Sequence, residues 1–131
     1  MTLSLILLLA FWMAPTPTES WQCRNDLEIR CSAGNCEAER EGDFTPVSVT
    51  FDAAGAMRVC AYSGCWEGNG TVVKSGDFVI LTGQNLTFST APESAEMKES
   101  IVITLDRADR VAVLKAGAFA HPLLCEQGAQ E

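Results

Sequence analysis

The chain has 131 residues, 47% of them hydrophobic and 20% charged, with a formal net charge of −8. That acidity argues against nucleic acid and anionic membrane surfaces as partners and permits a basic protein partner. Six cysteines against a single histidine point to a disulfide framework rather than to imidazole chemistry.

Read from the start, Leu3 to Ala14 is an apolar run of the length of a signal-peptide core. It is shorter than the roughly 20 residues that span a bilayer. Pro15 and Pro17 break it, and the small residues Thr18 and Ser20 stand where a signal peptidase reads. Residues 1–20 are therefore expected to be a signal peptide cut before Trp21, with 21–131 a single exported domain, periplasmic or extracellular. An uncleaved N-terminal anchor is the alternative, since no Lys or Arg precedes the apolar run. No stable membrane insertion is expected after cleavage.

Cys23 follows, and then LEIRC and CEAER flank SAGN as a short hairpin. Cys31 and Cys36 enclose four turn-forming residues, as Cys60 and Cys65 do around AYSG. Cysteines at the base of such a loop face each other across antiparallel strands, at a separation that suits a disulfide. Cys23 and Cys125 are left to tie the ends of the domain together. A bridge between the two CxxxxC loops is the competing arrangement.

Val47, Val49 and Phe51 alternate with Ser48 and Thr50, and Met57, Val59 and Ala61 continue the alternation after DAAG. Further strands are expected at TVVK (71–74), DFVILT (77–82), NLTFS (85–89), SIVITLD (100–106), RVAVLK (110–115) and AFAHPLLC (118–125). Turns are expected at Gly68–Gly70, Ser75–Asp77, Gly83–Asn85, Asp106–Asp109 and Ala116–Gly117. Only TAPESAEMKES (90–100) has helical composition, and Pro92 makes it a loop or a single turn. The fold class is all-β. About eight to ten short strands form an antiparallel meander, either a small barrel or a curved sandwich. Residues 47–66 also align without gaps on 101–120, pairing Thr50 with Thr104, Asp52 with Asp106, Ala54 with Ala108 and Val59 with Val113. Two similar hairpins account for this better than duplication does.

The chemistry of the chain is sparse. His121 is expected to be a partly exposed residue of the last strand, with no nucleophile beside it except an oxidised Cys125. The CxxxxC spacing sits at the outer limit for zinc thiolates and lacks the CxxC of dithiol redox sites. Glu37, Glu39 and Glu41 share one solvated strand face, and there is no phosphate loop or HExxH. Asn69-Gly-Thr71 and Asn85-Leu-Thr87 are glycosylation sequons. No enzyme activity, cofactor or metal is expected. Recognition remains: Tyr62, Ser63 and Trp66 lie in a stapled, glycine-rich loop (62–70) suited to a protein or cell-envelope partner. For Trp66 itself, a plug at one end of the barrel beside the Cys60–Cys65 bridge is the preferred reading over a binding role. A small apolar ligand carried inside the barrel, or a purely structural envelope role, is the alternative.

The stretch SGCWEGNGTVVKSGDFVIL (63–81) resembles the middle of the periplasmic membrane-bound-type inhibitors of C-type lysozyme, which are small exported antiparallel barrels. Ser63-Gly64 and Lys74-Ser75-Gly76-Asp77 stand for that family's two segments, and Cys23 with Cys125 for its terminal bridge. The resemblance implies that Ser63 and Lys74 reach a lysozyme's active-site acids. The chain as a whole resembles uncharacterised exported β proteins of Gram-negative bacteria, with a W-x-C start, CxxxxC hairpins and a near-terminal cysteine. That resemblance implies no function.

Overall fold

The structure is a computed structural model that describes residues 18–89 and 98–128. Most of the expected signal segment (1–17) and most of TAPESAEMKES (90–97) lie outside the described residues. The described chain forms eleven antiparallel strands: β1 (Ser20–Arg24), β2 (Glu28–Ser32), β3 (Asn35–Glu39), β4 (Ser48–Asp52), β5 (Ala56–Ala61), β6 (Gly64–Asn69), β7 (Thr71–Ser75), β8 (Phe78–Phe88), β9 (Lys98–Asp106), β10 (Val111–Ala116) and β11 (Phe119–Gln127).

Eight of them close into a barrel in the order β1-β4-β5-β6-β8-β9-β10-β11, because β1 pairs with both β4 and β11. Closure removes the exposed edges that an open sheet would leave. The period-2 pattern explains the wall: Val49, Phe51, Val59, Leu81, Ile103, Leu105, Leu114 and Leu123 point inward and are buried, while their neighbours face solvent. The remaining strands are additions to the wall. β7 pairs with β8, and the β2–β3 hairpin attaches through β2 to the start of β11.

All three bridges join residues directly opposed in the sheet: Cys23–Cys125 across the β1–β11 seam, Cys31–Cys36 in β2–β3, and Cys60–Cys65 in β5–β6. The loops are tighter than the four residues the spacing suggests. Ser32 pairs with Asn35 and Ala61 with Gly64, so each turn is two residues long, one pair beyond its bridge. Ala33 and Gly34 both have positive φ (47° and 82°), as a type I′ turn requires.

Two expected turns do not reverse the chain. Gly83-Gln84-Asn85 lies inside the 11-residue β8, where the register with β9 slips between Gly83 and Leu86 and Asn85 takes φ 56°. This is a β-bulge. Gly68-Asn69-Gly70 joins β6 to β7, which run successively along β8 rather than folding back on each other. A Cβ at Gly70 would lie 2.7 Å from the Thr82 carbonyl oxygen, so only glycine allows this approach.

The aligned hairpins β4–β5 and β9–β10 share one device. The Oδ1 of Asp52 accepts from Ala54 N (2.9 Å), and that of Asp106 accepts from Ala108 N (2.9 Å). Their registers differ by one residue, with Phe51 opposite Met57 but Leu105 opposite Ala112. A slip of one reverses every side chain. Val59 is consequently 4% exposed, while its counterpart Val113 is 47% exposed on the outer wall.

Candidate functional site

The barrel core is open at one end. There, small residues (Ala61 on β5, Ala116 on β10, and Gly117 and Ala118 in the turn beyond) stand where large side chains would close the mouth. They leave a cavity of about 240 Å³. Val59, Trp66, Ile101, Leu114 and Phe119 give it apolar walls, and Glu28, Thr45, Glu99 and His121 contribute polar groups. Trp66 is half-buried and packs its ring on Phe88, with centroids 4.6 Å apart.

The polar side is built by the segment that leaves β1 and crosses the mouth. Asn25 directly follows β1, and its Oδ1 accepts from Val47 N at 2.7 Å, fixing the amide. Its Nδ2 then donates toward Thr45 O (2.9 Å), Leu27 O (3.2 Å) and Nδ1 of His121 (3.3 Å). Glu28 opens β2 with a fully buried side chain. Its Oε1 accepts from Arg30 Nη2 at 2.9 Å and its Oε2 from Thr45 N at 3.0 Å. Arg30 also lies 5.3 Å from the Phe119 ring centroid, and Phe119 stacks with His121 at 6.1 Å.

These contacts set the charges. Burial pushes the Glu28 carboxyl up, but its hydrogen bonds from Thr45 and Arg30, with the nearby His121, outweigh burial and hold it below its ordinary 4.5. Burial pushes His121 down, and the Glu28 charge opposes this only in part, so the imidazole stays below its ordinary 6.5. At neutral pH the mouth therefore holds a carboxylate and a neutral imidazole. The Thr45 hydroxyl is engaged with Glu28 and no thiol lines the cavity. Among the described residues no group of His, Cys, Asp and Glu is arranged to hold a metal ion.

His121 is thus a correction: it is 5% exposed and faces the mouth, not a partly exposed strand residue. Glu28, Asn25 and Thr45 were not expected from sequence. A glutamate between Leu27 and Ile29 reads as outward by alternation, and only the crossing of β2 over the mouth buries it. The one available signal was Asn25-Asp26, a pair that favours strand exit.

The residues expected in a recognition loop divide between the two ends of the barrel. Tyr62, 80% exposed, and Ser63 form the β5–β6 turn, next to Ala61 and Trp66 of the mouth. Lys74 is exposed on β7, opposite Val79. The structure does not bring Ser63 and Lys74 together: β6 pairs with β8 at Phe88 and β7 pairs with it at Val79, so roughly 30 Å of strand lies between them at about 3.3 Å per residue. A second, wide-open hollow of about 840 Å³ lies along the wall of β1, β4, β5 and β6, where Gln22, Thr50, Arg58 and Glu67 line it. Its charged pair, Arg58 and Glu67, is already joined at 2.6 Å. No family model, curated protein or solved structure matches the chain.

Proposed function

We propose that this is an exported, non-catalytic binding protein, periplasmic or extracellular, whose barrel mouth takes up a small and mostly apolar group. The observation that carries this reading is the apolar 240 Å³ cavity with a buried, hydrogen-bonded polar side. A dry cavity of about 150 Å³ already accepts benzene, so this one has room for a substituted ring or a branched chain. The three disulfides support an oxidising compartment. The two bridged hairpins beside the mouth limit what binding must order.

Titration with ethylbenzene tests the reading. A saturable shift of the Trp66 indole N–H in a proton–nitrogen spectrum, with a co-purifying mass in native mass spectrometry of protein from its host, is the expected result. An unmoved Trp66 signal together with a clean apo mass sinks it. A second reading is docking of a protein partner through the exposed Tyr62 on its stapled turn. In the lysozyme-inhibitor form of that reading, the protein would bind a C-type lysozyme and the Tyr62→Ala variant would lose that binding. The distance between Ser63 and Lys74 weighs against this form.

A further inference from the structure

We propose that the mouth cavity selects an uncharged ligand that joins a ring-sized or branched apolar body to one hydrogen-bond acceptor. Ketones, lactones, esters and alcohols of that size are the matching class. This rests on the reading of the mouth as a binding site.

The inference comes from a chain of fixed hydrogen bonds. Val47 N donates to Oδ1 of Asn25 at 2.7 Å, so the amide cannot turn over without losing that bond. Asn25 therefore presents Nδ2, which shares its two protons among Thr45 O, Leu27 O and Nδ1 of His121 (3.3 Å); an amide nitrogen cannot accept, so Nδ1 is the acceptor of this contact. A neutral imidazole carries one proton, and here it sits on Nε2. Among the described residues no group accepts from Nε2, although His121 is 5% exposed. No sealed side-chain polar atom lacks a partner among the described residues. Nε2–H is therefore open, and the space that His121 lines is the mouth cavity, where it stands as a donor among mostly apolar walls.

Charge decides the rest. An ammonium would meet the Nε2–H donor and a Glu28 whose two oxygens are committed to Arg30 and Thr45. A carboxylate would share the chamber with buried Glu28 and half-buried Glu99. The cation of Arg30 is already engaged with Glu28 (2.9 Å), Glu39 (3.5 Å) and the Phe119 face. A neutral acceptor satisfies the orphan donor without burying a charge. The Phe119 ring, stacked on His121, offers the ligand's apolar body a flat wall.

Four probes of similar size separate the possibilities: acetophenone, ethylbenzene, benzoate and benzylamine, each titrated at pH 7.5 against the Trp66 indole signal. Acetophenone is expected to bind roughly fivefold tighter than ethylbenzene, the factor that one net hydrogen bond gives, with the two ions weaker than both. In His121→Phe, which keeps a ring but removes the donor, that preference collapses to about one. Long-range proton–nitrogen correlation on the wild-type imidazole needs no variant and is expected to show the Nε2–H tautomer. The Nδ1–H tautomer, tightest binding of an ion, or an unchanged preference in His121→Phe overturns the proposal while leaving the mouth a binding site. Silence of all four probes instead removes the binding reading beneath it.

Discussion

The two CxxxxC hairpins share one spacing, one bridge geometry and a two-residue turn, yet they belong to the barrel in different ways. β5–β6 is part of the wall, held by β4 on one side and β8 on the other, with Val59 in the core and Trp66 in the mouth. In β2–β3, β3 is almost wholly exposed and β2 is in register with β11 at only two residue pairs. The hairpin's other ties are the buried Glu28 carboxylate, Arg30 over the Phe119 ring and one backbone bond from Cys31 N to Ala118 O (3.0 Å). The spacing thus encodes a stapled turn, while what alternate residues bury decides whether that turn is a wall or an attachment.

Four measurements can break this contrast or sharpen it. The largest effect is expected in the core: Val59→Ala should lower stability by roughly 2–3 kcal/mol, read as a shift in urea midpoint. Ile29→Ala, at a half-buried site on β2, should cost well under half of that. Equal losses would mean that both hairpins are wall. Next, replacing Cys60 and Cys65 with alanine should cost about 2 kcal/mol globally, as chain entropy gives for so short a loop. Replacing Cys31 and Cys36 releases the same loop entropy. Its global cost is capped, however, by how easily β2–β3 opens alone, and should stay below about 1 kcal/mol. Hydrogen exchange would show that loss as faster amides confined to residues 28–39.

Glu28→Gln keeps the shape but removes the charge from two hydrogen bonds, at a cost of about 1–2 kcal/mol. The loss should again be confined to β2–β3 and Thr45. If it spreads over the barrel amides, the hairpin is not an attachment. The smallest effect is on pH. His121 is held below 6.5 in the fold, so the stability from its neutral form is complete above that pH and declines as pH falls below it. Glu28 is held below 4.5, so its contribution persists above that value and is lost as pH falls through its lower folded pKa. The groups facing the imidazole are Glu28 from β2, Glu99 from β9, and Arg30 through Phe119. Urea midpoints at pH 7.5, 5.5 and 4 should therefore fall in that order, and His121→Gln should flatten the first step.

Most of the barrel wall was legible because burial follows alternation there: Val47, Val49 and Phe51 read inward and are inward. Turn residues were read less well. Glycine and asparagine supply positive φ and close approach, and a bulge or a bend needs these as much as a hairpin does. That is why Gly83–Asn85 and Gly68–Gly70 looked like chain reversals. The mouth was hidden for another reason. Alternation assigns a face within a strand but cannot say that β2 lies outside the closed wall and sets Glu28 against its mouth. His121 was misread likewise, since the last strand's inward row ends on a polar residue only because Asn25 and Glu28 wait there. The contrast between Val59 and Val113 shows how little is needed: one residue of register turns an identical side chain from core to surface.

The Cys23–Cys125 bridge has a mechanical consequence. It joins the first and last barrel strands across 102 residues of sequence. A pulling force applied at the two chain ends passes directly through the bridge and leaves everything between it unloaded. Under tension the oxidised barrel acts as a rigid bead on a short cord. Only after reduction would the same pull reach the β1–β11 seam and begin to unzip the wall.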